Sequence, residues 1–341
     1  MIEIVASVLA GVVGFALAPS PSAPTGYRVT DTLRLGGDGG WDYLAFDPAS
    51  RRLFVSHGTH VVVVDADTKA TVGDIPDTPG VHGIAIAADL GRGFVSNGRR
   101  ASATIFDLKT LARIGEVKTG ENPDAILYDR ASGRVFTFNG RSGDATAFDA
   151  AHGTVAGTIA LGGRPEFAVA DGKGRVYVNI EDKSEIVALD SKGLQVKSRW
   201  PLKPCEEPSG LAFDSEHARL FAVCSNKLMA VVDATSGRVV TTVPIGGGVD
   251  AAAYDPGAGL VFASNGEGTL SVVHEDSPDS FRVVENVPTQ PGARTLALDP
   301  KTHRVFLSTA QFGPRPAPTA EVPRPRPSIV PGSFVVLVVG R

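Results

Sequence analysis

One phrase recurs seven times along the chain, and it limits the fold more than any other feature. It opens with an apolar run that often ends in Asp, passes through a short turn, and closes in a run centred on an aromatic residue. The copies are LAFDPASRRLFVS, IAIAADLGRGFVS, ILYDRASGRVFTF, AVADGKGRVYVN, LAFDSEHARLFAV, AAYDPGAGLVFAS and LALDPKTHRVFLS. Their aromatic centres are Phe54, Phe94, Phe136, Tyr177, Phe221, Phe262 and Phe306. The spacing is about 42 residues, a period that marks a repeat architecture.

Each unit holds four strand-like pieces. Strand a precedes the Asp (44–46 in the first unit), b carries the aromatic residue, c is a further apolar run (61–64, 185–189), and d follows a turn (71–75, 239–245). Four short strands at this period make one propeller blade. The expected fold is therefore all-β: seven four-stranded antiparallel blades in a ring, with no long exposed edge. The seventh unit lacks its own d strand, while an unassigned strand-like piece, 27–35, precedes the first unit. The N-terminal strand is thus expected to complete the last blade and close the ring.

Eleven aspartates lose their catalytic look once the repeat is aligned. Asp47, Asp129, Asp171, Asp214, Asp255 and Asp299 end strand a, and Asp65, Asp107, Asp149, Asp190 and Asp233 end strand c. A turn follows each, where Asp can accept backbone N–H bonds from two residues on. These turns mark one face of the disc, here called lower. The d–a and b–c loops make the upper face.

Counting back five residues from the strand-a Asp position gives Asp42, His82, Asp124, Glu166, Ser209, Asp250 and Arg294. Strand a is innermost in a propeller, so these residues are expected to ring the mouth of the central channel. Close carboxylates cannot all stay charged without a cation, a proton or a basic partner. A His among carboxylates suits a hard or borderline divalent metal ion, with Asp124, Glu166 and His82 as the expected ligands and His82 as the candidate catalytic base. The other reading is that these side chains satisfy loop backbone and channel water. A second polar tier, His57, Asn97, Asn139, Asn179 and Asn265, ends strand b and can meet a polar ligand or hold the b–c turns.

The anchor phrases resemble the YVTN repeat of the YncE-like seven-bladed propellers. Phe94-Val95-Ser96-Asn97 and Phe262-Ala263-Ser264-Asn265 carry the signature, while Leu220-Phe221-Ala222-Val223-Cys224 departs from it. The resemblance covers about residues 27–341 by repeat count and implies an exported protein without specifying a reaction. Cys205 in a d–a loop and Cys224 at the end of a b strand both fall on the upper face of unit five. The phrase Pro204-Cys205-Glu206-Glu207-Pro208 with the later Cys-x-Asn also resembles a pairing in that family, and a Cys205–Cys224 disulfide is expected.

Residues 4–18, IVASVLAGVVGFALA, have the length and apolarity of a signal-peptide core, with Ala16-Leu17-Ala18 as a small-x-small site. No Lys or Arg precedes Arg28, and Pro19 follows the cleavage position. The expected organisation is a signal peptide and linker over 1–24 and one propeller domain over 25–341, exported to the periplasm or beyond, with no membrane span in the mature chain. Residues 311–332 form a long seventh b–c loop with seven prolines and Arg315, Arg324 and Arg326. Such a loop favours extended polyproline conformation and is a solvated loop, a lid over the mouth or a strap for a partner.

Lys and Arg number 33 against 37 Asp and Glu, a net charge of −4, which gives no basic footprint for nucleic acid. There is no Walker A, HExxH, GxSxG or EF-hand pattern. Three functions stay open: a binding or scaffold protein taking a small ligand, cation or protein at its upper face; a metal-assisted hydrolase or lyase of lactones or sugar acids; and a structural envelope module.

Overall fold

The computed structural model describes residues 25–319 and 325–341. The segment read as signal peptide and linker, 1–24, lies outside the described residues, as do 320–324 of the proline-rich loop. Among the described residues no helix is long and apolar enough to cross a membrane.

Seven four-stranded antiparallel sheets form the molecule. Blades 1 to 6 run a-b-c-d in chain order. Blade 7 runs Thr295–Asp299, Arg304–Thr309, Val335–Gly340 and then Arg28–Arg34, so the N-terminal strand supplies its outer edge. Every a strand contacts the a strands of both neighbouring blades, including Leu44–Asp47 with Thr295–Asp299 across the closure.

The core divides between blades. Seven apolar clusters each join two consecutive blades, and each contains one repeat aromatic, Phe54, Phe94, Phe136, Tyr177, Phe221, Phe262 or Phe306. This explains why the repeat keeps a large ring at that position: a blade has two apolar faces and buries them only against its neighbours.

All eleven turn aspartates accept a backbone N–H two residues on, as Asp47 does from Ala49 at 3.1 Å and Asp233 from Thr235 at 2.8 Å. Four arginines that open b strands tie blades together on the same face. Arg52, Arg92 and Arg134 donate to carbonyls in the c–d turn of the next blade, and Arg219 donates to Pro278 in the hairpin of blade 6.

Cys205 and Cys224 form the disulfide, with Cα atoms 5.7 Å apart, 19 residues apart in sequence and both buried. Closing a loop of this length contributes about 3 kcal/mol through the unfolded chain. Reduction is expected to lower the free energy of unfolding by about that amount, which urea melts with and without reductant measure.

Candidate functional site at the channel mouth

The ring of sequence position minus five exists, and a backbone device builds it. In blades 2 to 6 the a–b ladder shifts register at His82, Asp124, Glu166, Ser209 and Asp250: between Val81 and Ile84, Pro123 and Ile126, Pro165 and Ala168, Pro208 and Leu211, and Val249 and Ala251. A bulge of this kind re-aims a side chain out of the sheet's alternation. In blades 1 and 7 strand a starts later, at Leu44 and Thr295, and Asp42 and Arg294 precede it. All seven ring residues are half-buried.

Two hydroxyls of the repeat signature and one that opens the last a strand lock this geometry. Ser96 accepts the Gly83 N–H at 2.8 Å and donates to the Asp124 carbonyl of the next blade at 2.5 Å. Ser264 donates likewise to the Arg294 carbonyl, and Thr295 to the Asp42 carbonyl at 2.7 Å. A small hydroxyl is needed because it sits buried between two backbones.

The side chains sort into two groups. His82 Nδ1 lies 2.6 Å from Asp42 Oδ2 and 3.7 Å from Asp124 Oδ1. These three residues offer donor atoms all within 4.8 Å of one another. Arg294 Nε reaches Asp250 Oδ2 at 3.3 Å and its Nη2 lies 4.0 Å from Asp42. Glu166, expected beside His82 and Asp124, lies outside that donor group. It is hydrogen-bonded to Glu181 and lies 3.8 Å from Arg164, which also pairs with Glu181. The reason is angular: His82 belongs to blade 2, flanked by Asp42 and Asp124 of blades 1 and 3, whereas Glu166 stands in blade 4.

Protonation follows from this crowding. Burial, then the nearby Asp42, pushes Asp124 up to about 6. Burial pushes Asp250 up to about 7, against the pull of Arg294. Burial and the hydrogen bond to Glu181 push Glu166 up to about 10. Burial opposes charge on His82, but its bond to Asp42 and the charge of Asp124 outweigh it, and its pKa is raised. The mouth therefore holds protons at neutral pH that a cation could replace.

Tyr43 and Phe167 directly follow ring residues, and their rings meet across the channel axis at 5.1 Å. Tyr43 is 5% exposed. Burial, then the charges of Asp250, Asp124, Asp42 and Glu166, raises its pKa, so its hydroxyl feels the acidic ring directly. The pair floors the mouth, and on its far side a separate cavity of about 540 Å³ is lined by Ile84, Ile126, Phe167 and Phe213.

The second tier turns inward. Asn97, Asn139 and Asn265 donate to hydroxyls on the neighbouring c strand, namely Thr104, Thr146 and Ser271, at 2.9 to 3.0 Å. Asn179 donates to the Ser209 and Gly210 carbonyls of the next blade. His57 is 2% exposed and stacks on Phe334 at 4.5 Å. The amide nitrogens thus support blades and loops, while Oδ1 of Asn97, Asn139, Asn179 and Asn265 and Nε2 of His57 are buried without a hydrogen-bond partner.

Above the mouth, the proline-rich loop folds onto the upper face through a Phe312–Ile329 bridge. It roofs a cavity of about 580 Å³ bounded by Gly40, Trp41, Arg294, Phe312, Arg315 and Arg326. Arg294 thus belongs to both the acidic ring and this cavity. Arg315 and Arg326 have no carboxylate partner among the described residues. Tyr43, Phe167, Arg164, Glu181 and Trp41 escape a reading of the repeat because they sit beside the aligned positions rather than on them.

Gly98 makes room for the His82 ring: a Cβ there would come within 2.6 Å of Nε2. Gly98→Ala is expected to displace the imidazole from Asp42 and lower its raised pKa toward the ordinary histidine value, readable by NMR titration of the ring.

No protein-family model matches the chain, and no curated protein does. Among solved structures the chain is similar to Kuenenia stuttgartiensis hydrazine synthase, with 14% identity and a TM-score of 0.70 over 79% of this chain and 92% of that one. It is also similar to a chain of the mitotic checkpoint complex, with 15% identity and a TM-score of 0.72 over 94% of this chain and 99% of that one. Identities this low carry the seven-bladed propeller fold and nothing finer.

Proposed function

We propose that the chain is an exported binding protein of the YVTN-repeat, YncE-like kind, whose upper face takes a small ligand carrying an acid group beside a divalent cation. The observation that carries this reading is the position of Arg294. It joins the carboxylate ring to a cavity whose other charged walls are the arginines Arg315 and Arg326. The cation would sit at Asp42, His82 and Asp124, where one nitrogen and two carboxylates suit a borderline metal. The acid group would face the arginines, and Trp41 and Phe312 would cover its body. The cavity volume falls within the range of small-molecule sites, about 300–1,000 Å³.

Sugar acids are the first probes. Gluconate with Mn2+ is expected to raise the unfolding temperature of the parent and to lose most of that effect in Arg315→Ala/Arg326→Ala. An equal shift in both proteins would remove the cavity from the proposal.

A second reading has one specific observation in its favour. The 2.6 Å contact between His82 and Asp42, with Asp124 beside it, orients an imidazole as a general base near a metal-ligand group. On that reading the chain is a metal-assisted hydrolase or lyase of lactones or sugar acids. Lactone turnover abolished by His82→Ala supports it; absence of turnover with Mn2+, Zn2+, Ca2+ and Mg2+ removes it. The two matched structures come from an enzyme and from an assembly, so the fold does not choose between these readings.

A further inference from the structure

A second convergence of donors lies on the lower face, at the opposite end of the a strands from the mouth. Asp214 ends strand a of blade 5, Pro208–Asp214, and His217 follows in the a–b turn. Glu275 comes from blade 6, whose c strand runs on from Thr269 to Ser277 and pairs with Ser280–Pro288 in a long hairpin. Arg219 ties this hairpin to blade 5, donating to the Pro278 carbonyl at 2.7 Å and to Asp279 at 3.0 Å.

The Asp214 and Glu275 side chains are 2% and 3% exposed. His217 Nδ1 lies 2.8 Å from Asp214 Oδ2 and 3.1 Å from Glu275 Oε1. Neither contact has hydrogen-bond geometry: His217 Nδ1 and Glu275 Oε1 are both buried and without a hydrogen-bond partner. Four other histidines behave differently. His82, His152, His274 and His303 each place Nδ1 in proper hydrogen-bond geometry with an Asp carboxylate.

The surrounding atoms are already committed. Asp214 Oδ1 accepts the Glu216 N–H at 2.9 Å, Oδ2 accepts the His217 N–H at 3.0 Å, and Glu275 Oε2 accepts the Tyr254 hydroxyl at 2.7 Å. What remains without a partner is His217 Nδ1 and Glu275 Oε1, with Asp214 Oδ2 beside the nitrogen, and the three residues offer donor atoms all within 4.8 Å of one another. The two separations from His217 Nδ1, 2.8 and 3.1 Å, match adjacent ligands held at about 2.1 Å from a metal, which stand about 3.0 Å apart in octahedral geometry.

We infer that Asp214, His217 and Glu275 bind a first-row divalent cation, Zn2+ or Mn2+, which pins the blade 6 hairpin beneath blade 5. The Tyr254 hydroxyl and the turn amides supply the outer hydrogen bonds that orient such ligands. His217, with its side chain 36% exposed, leaves an access path and room for water in the remaining positions.

The test is calorimetric titration of the chelator-treated full chain with Zn2+, alongside a channel-mouth variant, Asp42→Asn/Asp124→Asn. A saturable Zn2+ event is expected to persist in the mouth variant. It should weaken by about 100-fold or more in Glu275→Gln and in His217→Ala, and by about 10-fold in Tyr254→Phe, where only an outer hydrogen bond is lost. If Glu275→Gln does not fold, the half-exposed His217→Ala carries the test. Absence of any saturable event in the mouth variant overturns the inference, and so does unchanged affinity in His217→Ala.

Discussion

Deletion of residues 25–35 is expected to abolish a stable monomer at 37 °C. The deleted strand, Arg28–Arg34, covers Val335–Gly340 along its length, with Arg28 opposite Gly340 and Arg34 opposite Val335. Val335–Gly340 is buried at every position, so losing its partner would leave VVLVVG as an apolar open edge. Tyr27 goes as well. Its ring packs edge-on against Phe262 at 5.2 Å, and its hydroxyl donates to the His303 carbonyl at 3.1 Å. Burying Tyr27 and Leu33 is worth about 2 kcal/mol each, and the ladder hydrogen bonds add about 1 kcal/mol apiece. The loss is on the order of 5 kcal/mol or more, against a global stability of about 5–15 kcal/mol. An open edge of this composition also invites strand pairing between chains. Urea melts and size-exclusion chromatography read both effects. A monomeric deletion variant with an unchanged midpoint would mean that ring closure does not depend on this strand.

Raising the pH of the metal-free protein from 5 to 8 is expected to cost several kcal/mol of stability at the channel mouth, on the order of 5 kcal/mol or more. Asp124 at about 6, Asp250 at about 7 and Glu166 at about 10 titrate above their unfolded values. The unfolded chain therefore releases these protons first, and stability falls as pH rises from about 4 through the folded values. The raised His82 works in the same direction, since its stabilising charge is present below its unfolded value and is lost as pH climbs through the folded one. Burial opposes charge on Asp299 at the lower face, but its hydrogen bonds to Arg51 and Thr302 bring it down to about 2. That group loses its contribution only as pH falls below about 4. On the proposed cation reading, Mn2+ at Asp42, His82 and Asp124 would replace the protons of those groups, so saturating Mn2+ is expected to remove the part of the loss that comes from Asp124 and His82. Thermal unfolding across pH 4–9, with and without Mn2+, measures it. A flat profile would show that the ring charges are solvated independently.

The strand order and the ring were legible because both are periodic. Seven aromatic centres defined seven interblade clusters, and one position per blade defined the mouth. The pairing of His82 with Asp42 was also present in chain order, since blades 1, 2 and 3 are neighbours, yet Glu166 of blade 4 had been expected in that place. The contact between Tyr43 and Phe167 could not be read, because it depends on the width of the channel and not on any repeat position. Nor could the approach of Glu275 to His217, which exists because the blade 6 c strand runs nine residues, Thr269–Ser277, where the other c strands have six. Asn97, Asn139 and Asn265 show the opposite case. Their position in the repeat favours loop support over ligand contact, and the turn of their amide nitrogens toward Thr104, Thr146 and Ser271 agrees with support.

The central claim, that the mouth is a cation-dependent ligand site, is tested most directly by the Mn2+ stoichiometry of the His217→Ala chain, in which the lower-face site is disabled. One equivalent bound at pH 8, lost on adding Asp42→Asn/Asp124→Asn, is the predicted result. No saturable Mn2+ in His217→Ala, or an equal amount after the mouth carboxylates are removed, would contradict it.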